Sequence, residues 1–513
     1  MVIRIVACLL VLPSILVAEH FSATVRQSVS PLLIRNDHNA LLQLTVHASR
    51  SFAYLESITV ELKGELAFES LQFYSGGPLV AERSFGDRLA AKKTLEFRGH
   101  NRLRKGANEF WLSCRMRKDA SLVGTVDATV ESIKTSYGSV TVKDESNEIE
   151  KRVGVALRKH WDDGVHTYRI PALATTPRDT LLCVYDLRRR KRRDLQEDID
   201  IGLLRSTDGG QTWEAQRVIM DMGTYGNMPQ ELNGISDPGI VVDQQTGEAF
   251  CFAVWMNGRA GKHQWREGGS EAGFEIGKSA QFMMVRSQDD GKTWSEPKNM
   301  TRHWKDPSWI LYAPSPQQGI TLQDGTLVMP TQGRDAKDRR FSNLLISKNH
   351  GETWEVSSVA SYGNNECQAA ELSDGTIMLN CRSLHPIKFR TVAVTHDLGG
   401  TWATHATNRR TLIEPNCNGS LYRFDYKDGE KTESMLLFAN PHSQTSRNHF
   451  TIQISLDDGN SWPEKHRLLL DEGKGNGYPS LSRIDDQHLG IVYEGSGAHL
   501  VFEKFSIDEL LRR

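Results

Sequence analysis

Between residues 19 and about 148, apolar and polar positions tend to alternate, as in Leu41-Leu-Gln-Leu-Thr-Val46, Ile58-Thr-Val-Glu-Leu62 and Val140-Thr-Val142. Long helical spacing is almost absent. A period of two places apolar side chains on one face of a strand, so this stretch predicts a small β-sandwich. The polar run from Lys143 to Arg152 interrupts the pattern and marks a domain boundary near residue 148. Beyond it, strand-like runs such as Ile199-Asp-Ile-Gly-Leu-Leu204, Gln281-Phe-Met-Met-Val285 and Thr391-Val-Ala-Val394 lead into polar octets that end in tryptophan. The stretch from Ser506 to Arg513 is a candidate short helix.

The octets form an internal repeat. They read Ser206-Thr-Asp-Gly-Gly-Gln-Thr-Trp213, Ser287-Gln-Asp-Asp-Gly-Lys-Thr-Trp294, Ser347-Lys-Asn-His-Gly-Glu-Thr-Trp354, Thr395-His-Asp-Leu-Gly-Gly-Thr-Trp402 and Ser455-Leu-Asp-Asp-Gly-Asn-Ser-Trp462. Their starts lie 81, 60, 48 and 60 residues apart. Strand, tight turn, strand at such intervals predicts antiparallel sheets repeated radially, a β-propeller. Asp or Asn at the third position can accept from backbone N–H groups across the turn, and the following glycine can adopt positive φ. The closing tryptophan offers a large apolar surface to wedge between sheets. The full ligand spacing of an EF-hand is missing from Asp289-Asp-Gly and Asp457-Asp-Gly, so the octets read as structural turns.

Composition narrows the classes of partner. With 62 basic against 64 acidic residues the net charge is -2, which gives no drive toward nucleic acid or an anionic membrane. The 513 residues suggest about three domains of roughly 150 residues each. The apolar run from Val2 to Ala18, interrupted by Arg4 and Pro13, is short for a membrane span. A basic start, an apolar stretch and Ala18 ahead of Glu19 predict a signal peptide over 1–18 and export, with an uncleaved anchor as the alternative. Six cysteines follow that leader without a CxxC pair. This permits disulfides or buried free thiols and argues against a zinc cluster.

Chemistry-bearing residues collect in five places. Tyr168-Arg-Ile-Pro171 carries Arg169. Asp186-Leu-Arg188 precedes a basic run to Arg193, and Asp194 follows it. Asn364-Asn-Glu-Cys-Gln368 carries Glu366, and Leu379-Asn-Cys-Arg-Ser383 carries Arg382. Ser446-Arg-Asn-His-Phe450 supplies Arg447, and Gly477-Tyr-Pro-Ser-Leu481 supplies Tyr478. Each piece alone reads equally well as surface or core. Their order, with 16 residues from Glu366 to Arg382, 65 more to Arg447 and 31 more to Tyr478, does not.

The octets resemble the Asp box, and from about Val153 onward the chain resembles bacterial exo-sialidases of the neuraminidase superfamily. The resemblance implies an all-β fold: a six-bladed β-propeller over 149–513 behind the β-sandwich of 19–148, which is possibly carbohydrate-binding. It implies an exo-α-sialidase, a glycoside hydrolase that releases terminal α-linked sialic acid with retention. Arg169, Arg382 and Arg447 would hold the sugar carboxylate, for which guanidinium is suited by its fork geometry and permanent charge. Tyr478 would be the nucleophile and Glu366 its base, since a neutral phenol is not repelled by that carboxylate. Asp194 would be the acid/base, which calls for a raised pKa. Arg188 is similar to an arginine near the sugar O4. Asp237, in Ile235-Ser-Asp-Pro-Gly239, is similar to a residue near the N-acetyl region, and Trp255 and Trp265 are candidate linings of its apolar pocket.

The resemblance implies no cofactor and no metal, a sialylated glycan as partner, no nucleic acid, and a secreted or periplasmic monomer. Two alternatives share these residues: a non-catalytic Asp-box propeller that binds sialic acid, and a relative that transfers it or releases an anhydro product. The third box departs from the pattern with Asn349, the fourth starts with Thr395, and the sixth blade has no recognisable box.

Overall fold

A computed structural model describes residues 21–511 apart from 82, 147, 148, 196, 257–264 and 267. The predicted signal peptide of 1–18 lies outside the described residues. The chain divides into two compact bodies: Met1–Gln27, His38–Cys114 and Asp127–Glu148 form one, and Ser28–Asp37, Arg115–Val126 and Ile149–Arg513 the other. Residues 28–37 and 115–126 belong to the second body. Their pairing shows why: Leu32–Ile34 lies parallel to Lys151–Arg158, with Leu33 opposite Gly154. A Cβ on Gly154 would come within 3.2 Å of the Leu33 side chain, so only glycine admits that packing.

In the first body, Gly138–Asp144, Phe21–Arg26, Asn39–Ala48, Gly106–Met116, Phe68–Ser75 and Ser84–Leu89 pair in that order. Ala53–Gly64 pairs with Thr94–Leu103 and Thr125–Thr135. Burial in Phe21–Arg26 alternates, as the period-two pattern requires. The Phe73 and Phe97 rings meet edge to face at 5.0 Å, and Trp111 stacks on Tyr74 at 5.3 Å.

The second body is a β-propeller whose five separate sheets have at least four strands each and are antiparallel meanders, apart from the parallel pairing of Gln317–Gln318 with Ile235–Val242. A further set, Pro479–Asp485, His488–Tyr493 and Leu500–Ser506, takes its fourth strand from the other end of the region: Lys151–Arg158 pairs antiparallel with Leu500–Ser506. Strands on the inner path are buried along both faces and read as near-continuous apolar runs, as in Leu181–Arg188. The candidate terminal helix is present as Ile507–Leu511.

All five octets share the bond from the fifth-position glycine N–H to the first hydroxyl and the bond from the seventh N–H to the third side chain. In the first, Gly210 donates to Ser206 Oγ at 3.0 Å, Thr212 N donates to Asp208 Oδ1 at 2.9 Å, and Trp213 Nε1 donates to the Gly210 carbonyl at 3.0 Å. The fourth and fifth residues of every box have positive φ, including Asp290 at 65° and Leu398 at 55°. Asn349 keeps the turn, but its amide donates to Thr353 Oγ1 at 2.9 Å where the aspartates accept. Trp402 alone reaches elsewhere, to the Ser358 carbonyl, because the Gly399 carbonyl already accepts from Ser358.

Candidate active site

Antiparallel meanders bring the beginning of a first strand and the end of a second strand to the same edge of a sheet. Arg169 lies near the start of Thr167–Thr175, Asp237 near that of Ile235–Val242, Glu366 near that of Asn364–Glu371, and Tyr478 directly ahead of Pro479–Asp485. Arg188 and Arg382 end or nearly end the second strands Leu181–Arg188 and Ile377–Ser383. The boxes follow third strands and fall at the opposite edge. Sequence-distant residues thus share one face without any long-range signal beyond strand order.

The first strands bend where they carry the site. Register shifts fall between Arg169 and Ala172 and between Ser236 and Gly239. Within these bulges Ile170 has φ 56° and Asp237 φ 57°, each immediately before a proline. A β-branched residue at positive φ is rare and strained, and a bulge re-aims the adjacent side chains.

Tyr478, Glu366 and Arg382 form one hydrogen-bonded unit. The phenol donates to Glu366 Oε1 at 2.6 Å, and Arg382 Nη1 donates to Glu366 Oε2 at 2.8 Å and to the phenol oxygen at 3.0 Å. Burial, and then the negative charge of Glu366, push the phenol well above its ordinary value of 10, so its proton is retained in the resting site. The Arg169 and Arg447 guanidinium groups lie 5.5 and 5.6 Å from the centre of the Tyr478 ring. Gly477 has φ 121°, and a Cβ there would stand 2.4 Å from Cys417 Sγ, so glycine is needed to present the tyrosine.

Each arginine is fixed from behind. Glu494, fully buried, accepts from Arg169 Nε at 2.6 Å and from the Ile170 N–H at 2.7 Å. Arg447 donates to the carbonyls of Asn476 at 2.6 Å and Asn416 at 3.1 Å, and the Asn416 side chain accepts from Arg382 Nε at 2.8 Å. Glu494 was absent from the sequence-based set. Its signal was positional, since it directly follows the second strand His488–Tyr493, at the edge where Arg188 and Arg382 also stand.

Across the site stands a second group of carboxylates. Asp186 accepts from Arg188 Nε and Nη2 at 3.1 and 2.8 Å and from the Asp237 N–H at 3.0 Å. Arg188 Nη1 donates to the Arg192 carbonyl at 2.9 Å and pairs with Asp194. Burial pushes Asp186 up to about 6 against the pull of Arg188. Burial, followed by the charges of Asp186, Asp194 and Glu366, holds Asp237 well above the carboxylate range. Among the described residues no three His, Cys, Asp or Glu side chains are placed to hold a metal ion.

Arg188 is 1% exposed and binds Asp186, the Arg192 carbonyl and Asp194. One expectation changes here. Trp255 is 0% exposed. Its Nε1 donates to Asn233, its ring meets Tyr225 at 5.0 Å, and it belongs to the core between the first two sheets, so it presents no surface to a sugar. Trp265 is partly exposed and packs on the cluster containing Leu195, next to Asp194.

Comparison with known proteins agrees with this geometry. Residues 179–493 match the BNR repeat-like domain, and 80–139 match the N-terminal domain of BNR-repeat neuraminidase. A sialidase of Bacteroides fragilis (strain YCH46) is 37% identical across 95% of both chains. A sialidase of Micromonospora viridifaciens is 34% identical across 65% of this chain and 51% of its own. The solved structure of the Hadza microbial sialidase Hz136 superposes with a TM-score of 0.89 at 34% identity, covering 95% of this chain and 99% of that one. On the repeat-domain match and the similarity to these sialidases, the chain belongs to the BNR-repeat sialidase (neuraminidase) family.

Proposed function

We propose that this enzyme hydrolyses terminal α-linked sialic acid from glycoconjugates with retention, through a covalent intermediate on Tyr478. The observation that carries the reading is the 2.6 Å bond from the Tyr478 phenol to Glu366, with Arg382 bridging both. Glu366 accepts the phenol proton as the phenolic oxygen attacks the anomeric carbon. Asp194 gives a proton to the departing oxygen, then takes one from the water that releases the sugar. Arg169, Arg382 and Arg447 hold the substrate carboxylate in place of water, and Asp237, which keeps its proton, donates to a sugar oxygen. No cofactor enters these steps.

The same proposal covers the architecture and setting. The strand set completed by Lys151–Arg158 is taken as the sixth blade, the first body as a β-sandwich, and the protein as an exported monomer. The test is a fluorogenic sialoside, with the released sugar followed by NMR. The α-anomer of sialic acid should appear first, and Tyr478→Phe should abolish turnover. First appearance of the β-anomer, or unchanged turnover in the variant, would overturn the mechanism.

A further inference from the structure

The basic run ahead of Asp194 has no part in the steps above, and its five charges are not used alike. Arg189 is paired with Asp200 at 2.7 and 2.5 Å, and Lys191 with Glu197 at 2.9 Å. Arg192 donates to the side chain of Asn476, a neutral partner. Arg190 and Arg193 are exposed and, among the described residues, have no carboxylate partner. Three guanidinium charges within four residues are therefore uncompensated.

The loop that bears them is tied to the site through Arg192. Its carbonyl accepts from Arg188, which pairs with Asp194, and its side chain binds Asn476, whose carbonyl accepts from Arg447. Burial, and then His160, Arg169, His166 and Arg192 in that order, depress His499 to about 4. An excess of one sign fixed at the mouth of a cleft concentrates counter-charged ligands there. On the reading above, Asp194 protonates the leaving oxygen, so the leaving sugar must lie against this same loop.

We infer that Arg190, Arg192 and Arg193 recognise an anionic group on the leaving-group side of the scissile bond. The favoured substrates are then glycans whose sialic acid is attached to a sugar that itself carries a carboxylate or a sulfate ester. The inference rests on the proposed role of Asp194, and it names a substrate class that the arginines holding the terminal carboxylate do not select.

The test compares kcat/KM of the full chain for α2,8-disialyllactose, a sulfated sialyllactose and neutral 3′-sialyllactose, each relative to an aryl sialoside. At low salt at least one anionic substrate should exceed the neutral one. Its advantage should fall about fivefold in the double variant R190Q/R193Q, as expected for two exposed ion pairs, and should also fall with rising salt. Preference for the disialyl or the sulfated substrate alone identifies which anion is read. Equal use of all three substrates, or an advantage that survives the double variant, would overturn the inference. Failure of wild-type enzyme to turn over the aryl sialoside would instead overturn the proposed function beneath it.

Discussion

The two edges of the propeller sheets use aspartate in opposite ways. At the box edge the aspartate at the third position of a box accepts from its own turn. Asp289 binds Thr293 through backbone and hydroxyl at 2.8 and 2.7 Å, which holds it down at about 2, and Asp397 is held at about 2 in the same manner. At the site edge Asp186 and Asp237 are buried beside other carboxylates and are pushed up. Local hydrogen bonds favour the charged form, whereas burial among like charges disfavours it. One edge therefore keeps its carboxylates charged, and the other favours their protonated form.

The comparison is tested most strongly at Glu366. Glu366→Gln should lower kcat by about 10²- to 10⁴-fold, the usual worth of a positioned base, with the melting temperature no lower than wild type. A large loss of stability alongside activity would merge the two edges. Gly477→Ala comes next: the Cβ clash with Cys417 displaces Tyr478, and a shift of about 1 Å costs on the order of 10²-fold in rate. Steady-state kinetics together with circular dichroism would distinguish this from unfolding.

Asp237→Asn tests the electrostatics by pH. A carboxyl raised above its ordinary 3.8 stabilises the fold below that value and loses this contribution as pH climbs toward the folded pKa. The variant should therefore melt like wild type near pH 4 and gain on it progressively toward alkaline pH. No pH-dependent difference would remove the claim that Asp237 keeps its proton. At the box edge the sign reverses. The contribution of Asp289 is present above 3.8 and lost as pH falls through about 2.

Smaller effects belong to the turns. Asp208→Ala should cost about 1 kcal/mol in denaturant melts while leaving kcat unchanged. Asn349→Asp, which only reverses the donor in the bond to Thr353, should move stability by less than about 0.5 kcal/mol. A drop in activity from either would mean that the edges communicate.

The same contrast explains what the sequence could reveal. Boxes are legible because every bond in them spans four residues or fewer, apart from the redirected Trp402. The members of the tyrosine–glutamate–arginine unit stood out in the sequence through their order and spacing. The buried support of Arg169 did not, because Glu494 meets it across 325 positions and carries no local pattern. Trp255 was misplaced for a related reason: a tryptophan at the site end of a strand can face the sugar or the neighbouring sheet, and only packing against Tyr225 and Asn233 decides. The two segments that join the second body were equally invisible, since parallel pairing of Leu32–Ile34 with Lys151–Arg158 leaves no mark on either run.

The strand set closed by Lys151–Arg158 has a consequence for timing. Tyr478 and Glu494 both belong to it, and it pairs with a strand made far earlier, as in the bond from Arg152 to Glu503 across 351 positions. Such distant closure is slow to search for. A chain emerging from the ribosome can finish its boxes one at a time, yet Tyr478 and the anchor of Arg169 come into place only when this distant pairing closes. The surroundings of Tyr478 are therefore assembled after the local turns.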